Sequence, residues 1–233
     1  MAIAGACVHV EKKETDISGA EIPRTDKWIS LTFDDGPSGN TELLLNVLAE
    51  NDIKATFFLT CRKLESEENK ARARKILDEG HEIANHGYEH KKLGEGLSID
   101  EIRDNIGKGQ AAIKAVSGSE PVLFRAPNFN RNDDVTSVLR EMGLVYIGGI
   151  SPRDSRKETT TEQIIEKVLE LARDGGVVVL HDSGHGNINT MPAIPVIAGE
   201  LRKRGYGFLT VGEMIKRKNV SLEPGKWYDF FSE

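Results

Sequence analysis

The 233-residue chain is 38% hydrophobic and 29% charged, an ordinary globular balance in a chain long enough to bury one full core. A net charge of -6 gives no electrostatic reason to expect nucleic acid or an anionic membrane as partner, and no run approaches the roughly 20 apolar residues that cross a bilayer. Cys7 and Cys61 are the only cysteines, which excludes a disulfide framework and a thiolate zinc cluster and leaves one bridge to be tested.

Three regions are expected: an extension over residues 1–26 packing on the main unit, a single α/β domain over 27–220, and a tail over 221–233. The opening "MAIAGACVHV" is too short for a secretory signal and lacks its basic start, so either the protein acts inside the cell or a leader has been removed. Asn219-Val220-Ser221 is a lone glycosylation triplet, weak support for secretion. From Lys27 onward, short apolar runs alternate with helical patterns. "WISLTF" reads as a strand and "NTELLLNVLAEN" as a helix; "KATFFLT" and the charged "EENKARARKILDEG" repeat the pair, with Gly80 as a helix stop. "HEIANH" is a short strand, followed by a helix near "SIDEIRDNIGKGQAAIKAVSG" whose Ser98 and Glu101 form a capping-box pattern. Then come "PVLFRAP", the helix "NDDVTSVLREMG", the strand "LVYIGG" and the helix "TTEQIIEKVLELARDGG". The strand "VVVLHD", a helical "AIPVIAGELRKRG" and "YGFLTVGEMI" complete the series.

Strict βα alternation implies a parallel sheet, because parallel strands need connections of about a dozen residues. Without a Gly-rich dinucleotide fingerprint after the first strand, a closed or nearly closed (β/α) barrel of about seven units is favoured over an open doubly wound sheet. The extension and the tail "EPGKWYDFFSE" lie outside the repeat and are expected to cover the barrel ends.

The reactive residues fall at carboxyl ends of strands: Asp34 and Asp35 after the first, His86 and His90 after the third, Arg125 after the fourth, Asp154 after the fifth, His181 after the sixth. In a barrel these ends share one rim, where active sites lie. Adjacent residues on a strand face opposite ways, so Asp34 and Asp35 can hold different jobs; the ordinary alternative is one Asp in a turn and one capping the next helix. "HGYEH" brings two imidazoles together if the segment turns helically, and with a rim aspartate supplies a two-histidine, one-carboxylate set. Zinc is the first choice for that set, and cobalt or another divalent ion also fits. His181 suits protonation of a leaving group near neutral pH, or is a satisfied rim histidine. Arg125 could hold a carboxylate ionised and oriented, or be a surface cation.

"TFDDGP", "HGYEH", "RAP", "RDS" and "LHD", in that order and spacing, resemble the polysaccharide deacetylases of carbohydrate esterase family 4, which include chitin and peptidoglycan N-acetylglucosamine deacetylases. The resemblance runs from about Trp28 to Ile215 and implies a single distorted (β/α) barrel. It implies Asp34 as catalytic base, Asp35 with His86 and His90 as metal ligands, Arg125 bracing Asp34, and Asp154 tuning the general acid His181. It further implies that the Asn128 backbone N–H stabilises the oxyanion and that Leu180 lines the acetyl-methyl pocket. The substrate would be a glycan bearing N-acetylglucosamine, and the protein a monomer acting outside the cell or at its wall.

Three positions depart from the family pattern. Gly87 stands for a Ser or Thr that steadies the metal loop, Asn128-Phe129 for an aromatic-Gly pair, and Ser155 for a Trp walling the acetate pocket. The alternatives are therefore hydrolysis of another amide or an acetyl ester, and a catalytically impaired relative that binds glycan.

Overall fold

The computed structural model describes residues 25–94, 96–183 and 187–232. Cys7, most of the 1–26 extension and Glu233 lie outside the described residues, so the extension and the Cys7–Cys61 bridge are not at issue in the fold.

The first strand, β1 (Lys27–Gly36), sorts its side chains by strict alternation. Ile29, Leu31 and Phe33 are fully buried in a cluster with Leu44, Leu45 and Leu48 of α1 (Thr41–Glu50) and Ile194, Ile197 and Leu201 of α6 (Asn187–Lys203). Their neighbours Thr32 and Asp34 face the other way, toward the strand that carries Arg125. The same alternation of helix-facing and interior-facing positions sets the facing of His181 at the end of the neighbouring strand.

Between β1 and β6 (Gly176–His181) the chain runs β2 (Thr56–Leu59), α2 (Glu67–Asp78), β3 (Glu82–Asn85), α3 (Ile99–Ser117), β4 (Leu123–Phe124), α4 (Asp133–Glu141), β5 (Val145–Ile147) and α5 (Thr161–Leu171). After α6 it continues through β7 (Tyr206–Phe208), α7 (Val211–Arg217) and β8 (Trp227–Tyr228). The strands form one 8-stranded sheet in the order β6-β1-β2-β3-β4-β5-β8, with β7 beside β1, and all named pairs are parallel. Past β5, Ile150 bridges Val178 of β6 through N–H···O bonds of 2.7 Å (Ile150 to Val177) and 2.8 Å (Val179 to Ile150), which draws the two sides of the curled sheet together. This is a distorted (β/α) barrel.

Helix starts follow the local chemistry. Ser98 and Glu101 make the expected capping box on α3, and Thr160 with Gln163 and Thr210 with Glu213 do the same on α5 and α7. Two elements differ from expectation. Helix α6 begins at Asn187 and runs through Pro192 and Pro195, residues that ordinarily signal a helix start. The tail is not outside the repeat: Trp227 and Tyr228 pair with Tyr146 and Ile147. The three-residue β5 would otherwise leave an unpaired edge, and the tail satisfies it from Tyr146 N–H to Lys226 O (3.1 Å) and from Gly148 N–H to Tyr228 O (2.7 Å).

Candidate active site

All of the reactive groups meet at the carboxyl ends of the strands. At the end of β1, Asp34 is 4% exposed and its Oδ1 accepts from Nη1 of Arg125 at 2.6 Å. Arg125 is wholly buried and donates further to Ile147 O at 3.0 Å, Gly148 O at 2.9 Å and Thr32 Oγ1 at 2.8 Å, with the Phe58 ring 3.9 Å beneath the guanidinium. A buried charge is tolerated only when it is paired and its hydrogen bonds are made, and Arg125 meets both conditions. Asp34 is thereby fixed in place with its second oxygen, Oδ2, directed into the site, 4.0 Å from His86 Nε2.

Asp35 has a different environment. Its backbone is left-handed (φ 69), and its carbonyl accepts from Lys63 Nζ at 2.6 Å. Oδ1 of Asp35 lies 3.5 Å from His86 Nε2 and 3.2 Å from His90 Nε2, and the three residues form a cluster able to hold a cation. His86 Nδ1 sits 2.8 Å from the Arg125 carbonyl, which can only accept, so Nδ1 carries a proton and Nε2 faces Asp35. Asp35 Oδ1 is buried with no hydrogen-bond partner among the described residues. A buried carboxylate oxygen without a hydrogen bond is costly for protein alone, and with two imidazole nitrogens beside it forms a donor set that a divalent cation satisfies. Burial pushes the Asp35 carboxyl up, but His86, His90 and His181 outweigh it and hold it well below the usual carboxylate range. For His90, burial is the leading cause of a downward shift, which favours the neutral, ligating ring.

At the end of the neighbouring strand β6 stands His181, the register partner of Asp34, whose Nδ1 is 2.8 Å from Oδ1 of the fully buried Asp154. Asp154 Oδ2 also accepts from the His181 backbone N–H at 2.9 Å and from Thr190 Oγ1 at 2.8 Å, so the aspartate is locked by three partners. Burial alone would lower the imidazole; the Asp154 carboxylate, joined by Asp34 and Asp35, reverses this and raises it to about 9. Near neutral pH His181 is an imidazolium with a proton to give.

Several groups that hold the site were not singled out from the sequence. The histidine loop is a bend rather than a helical turn, yet its two rings still come to 5.3 Å. It is steadied by Asn85 Oδ1, which accepts from Gly87 N–H at 2.7 Å, and by Asn105 Oδ1, which accepts from Tyr88 N–H at 3.0 Å. Gly87 itself is left-handed (φ 82), and a Cβ there would lie 2.7 Å from Asn105 Oδ1. Asparagines thus do the steadying expected of the missing hydroxyl, and glycine makes room for one of them. The carboxylate after His181 was also legible in "LHD": Asp182 accepts from Ser38 Oγ at 3.1 Å and Thr41 Oγ1 at 2.6 Å, and its N–H donates to Asp34 O at 2.9 Å. Burial lifts this carboxyl to about 6.

One expected site residue is elsewhere. Leu180 is fully buried among Phe33, Leu44 and Ile197 on the helix side of β6, the face opposite His181. Strand alternation requires this, and it puts Val179 rather than Leu180 on the interior side. Asn128 is exposed at the rim with φ 57, followed by Phe129 at φ 53, and its N–H makes no backbone hydrogen bond among the described residues. Ser155 is exposed beside Asp154.

Comparison with known proteins gives concordant matches. A family model described as polysaccharide deacetylase matches residues 21–147. A peptidoglycan-N-acetylglucosamine deacetylase of Bacillus cereus is 33% identical over 215 residues, covering 89% of this chain and 99% of that protein. A bifunctional xylanase/deacetylase of Pseudobutyrivibrio xylanivorans is 34% identical over 198 residues; these are 85% of this chain but only 32% of that protein. Among solved structures, a family 4 acetyl xylan esterase from Clostridium thermocellum, in complex with a cobalt ion, superposes with a TM-score of 0.81 at 31% identity, covering 88% of this chain and 98% of that one.

Proposed function

This chain belongs to the polysaccharide deacetylase family, and from that premise we propose that it is a hydrolase removing N-acetyl groups from polysaccharide that contains N-acetylglucosamine, of the chitin or peptidoglycan kind. The observation that carries the reading is the pair of separately braced groups, Asp34 on Arg125 and His181 on Asp154, at the same strand ends as the Asp35, His86 and His90 cluster. A carboxylate fixed by a guanidinium beside an imidazole held protonated by a buried carboxylate is what acid–base hydrolysis requires.

Asp35 and the Nε2 atoms of His86 and His90 would hold a divalent ion, zinc by preference and cobalt as a substitute. When bound, the ion supplies Lewis-acid polarisation of the acetamide carbonyl and makes water more acidic. Asp34, held and aimed by Arg125, accepts the proton from the attacking water. The Asn128 N–H donates to the oxygen on which negative charge develops. His181 delivers its Nε2 proton to the departing amine nitrogen, and Asp154 stabilises the imidazolium until that moment. Acetate and the free amino sugar result. Substrates of this kind put the activity outside the cell or in its wall. No helix of the described residues is long and apolar enough to cross a membrane.

The test is acetate release by the zinc- or cobalt-loaded protein from chitin oligomers, peptidoglycan fragments and acetylated xylan. Release from the N-acetylated glycans, lost in Asp34→Asn, is the expected result. Release from xylan alone would make the protein an acetyl esterase, and no release from any of the three would end the hydrolase reading.

A further inference from the structure

The turn that carries Asn128 is built against its own backbone preferences. Asn128 tolerates the left-handed region, but Phe129 at φ 53 is a bulky residue in a conformation that normally calls for glycine. Such a conformation persists only where surrounding structure over-determines it. Within the turn there are two backbone bonds, Phe129 N–H to Ala126 O at 3.0 Å and Asn130 N–H to Pro127 O at 3.3 Å. The Arg125 guanidinium lies over the Phe129 ring at 6.0 Å, and further restraints come from the barrel's last strand pair. Tyr146 of β5 donates its hydroxyl to Asn130 O at 2.7 Å. Trp227 of β8 meets the Phe129 ring edge-on at 5.9 Å and the Tyr146 ring at 4.7 Å, while the Arg131 guanidinium covers it at 5.0 Å.

The indole is seated without slack. A Cβ on Gly148 would fall 2.0 Å from Trp227 Cζ2, so the ring lies directly on the backbone at the end of β5. That same Gly148 carbonyl accepts from Arg125 Nη2 at 2.9 Å. Trp227 therefore touches both the turn bearing Asn128 and the segment that anchors Arg125, although it comes from the C-terminal tail, well beyond the residues 21–147 that match the family model.

We propose that Trp227 is a positioning residue, a wedge from the C-terminal strand that holds the strained Asn128-Phe129 turn so that the Asn128 N–H stays directed at the reacting oxygen. The assignment of that N–H rests on the deacetylase reading above. Phe129 trades the freedom of glycine for a ring that the tail can grip, and the grip replaces the lost backbone permissiveness. The wedge touches no substrate in this account, so it acts on turnover rather than on glycan or metal affinity.

The experiment compares Trp227→Ala, Trp227→Phe and the wild type, all cobalt-loaded, by kinetics of acetate release and by NMR order parameters of the Asn128 and Phe129 amides. Trp227→Ala is expected to lower kcat at least tenfold with KM and cobalt content within twofold of wild type, and to drop the two order parameters into the flexible range. Trp227→Phe retains an edge-on contact and is expected to recover most of the rate; it also serves if the alanine variant fails to fold. An ordered turn in a folded Trp227→Ala protein, or a loss carried by KM or metal content alone, would overturn the proposal. If the wild type releases no acetate, the deacetylase reading fails and takes the catalytic part of this proposal with it, whereas the order parameters still decide whether Trp227 holds the turn.

Discussion

The two acids of "DDGP" are chain neighbours in opposite states of completion. Around Asp34 the protein satisfies every demand by itself: a buried guanidinium at 2.6 Å, three further acceptors for that guanidinium, and a ring beneath it. Around Asp35 it falls short, leaving a left-handed backbone and a buried oxygen that faces two imidazoles with no hydrogen-bond partner among the described residues. In the proposed reading, the half that moves protons is preorganised by the fold, and the half that ligates would be completed by a cation. Each half should consequently fail in its own way.

The largest effect should come from the incomplete half. Chelation, or His86→Ala, is expected to abolish acetate release while the circular dichroism spectrum stays native, because the barrel does not depend on the ion. Zinc at a hundredfold excess over its Kd should add about 2.7 kcal/mol to wild-type stability and nothing to the variant, as differential scanning fluorimetry with zinc titration would show. In the complete half the cost falls on folding. Arg125→Met strands the Asp34 charge in a dry site and should cost about 3–5 kcal/mol in urea unfolding, with a clearly smaller cost when Asp34→Asn is already present.

A smaller effect concerns His181. Its folded value of about 9 lies above the ordinary histidine value, so the stability it draws from Asp154 is fully present below about pH 6.5 and is lost as pH rises through about 9. The alkaline limb of kcat should lie in the same window, and Asp154→Asn should shift it downward, since the main group opposing burial is then lost. A limb unmoved by Asp154→Asn would separate the pair from catalysis. The smallest effect is expected at Leu180. Leu180→Val removes one methylene from the helix-side core and should cost about 1 kcal/mol without altering KM, because the side chain does not face substrate. A change in KM would return Leu180 to the pocket.

Most of the barrel was legible in the sequence because a strand followed by a helix is a long, periodic signal, and the reactive rim followed from reading which residues end each strand. What escaped was set by contacts distant in sequence. Trp227 and Tyr228 form a strand of two residues, too short to show alternation, and only the unsatisfied edge of β5 gives them that role. Gly87 read as a missing hydroxyl because its replacement, Asn105, lies on the following helix, 18 positions later. Leu180 was misplaced although its own strand carried the information: with His181 facing the site, alternation excludes its immediate neighbour.

The division of labour between the adjacent acids is tested most directly by titrating cobalt into Asp34→Asn and Asp35→Asn side by side while measuring acetate release. Asp34→Asn should bind cobalt as the wild type does and release acetate at least a hundredfold more slowly, whereas Asp35→Asn should lose cobalt binding and activity together. Wild-type cobalt affinity in Asp35→Asn, or wild-type turnover in Asp34→Asn, would contradict the account.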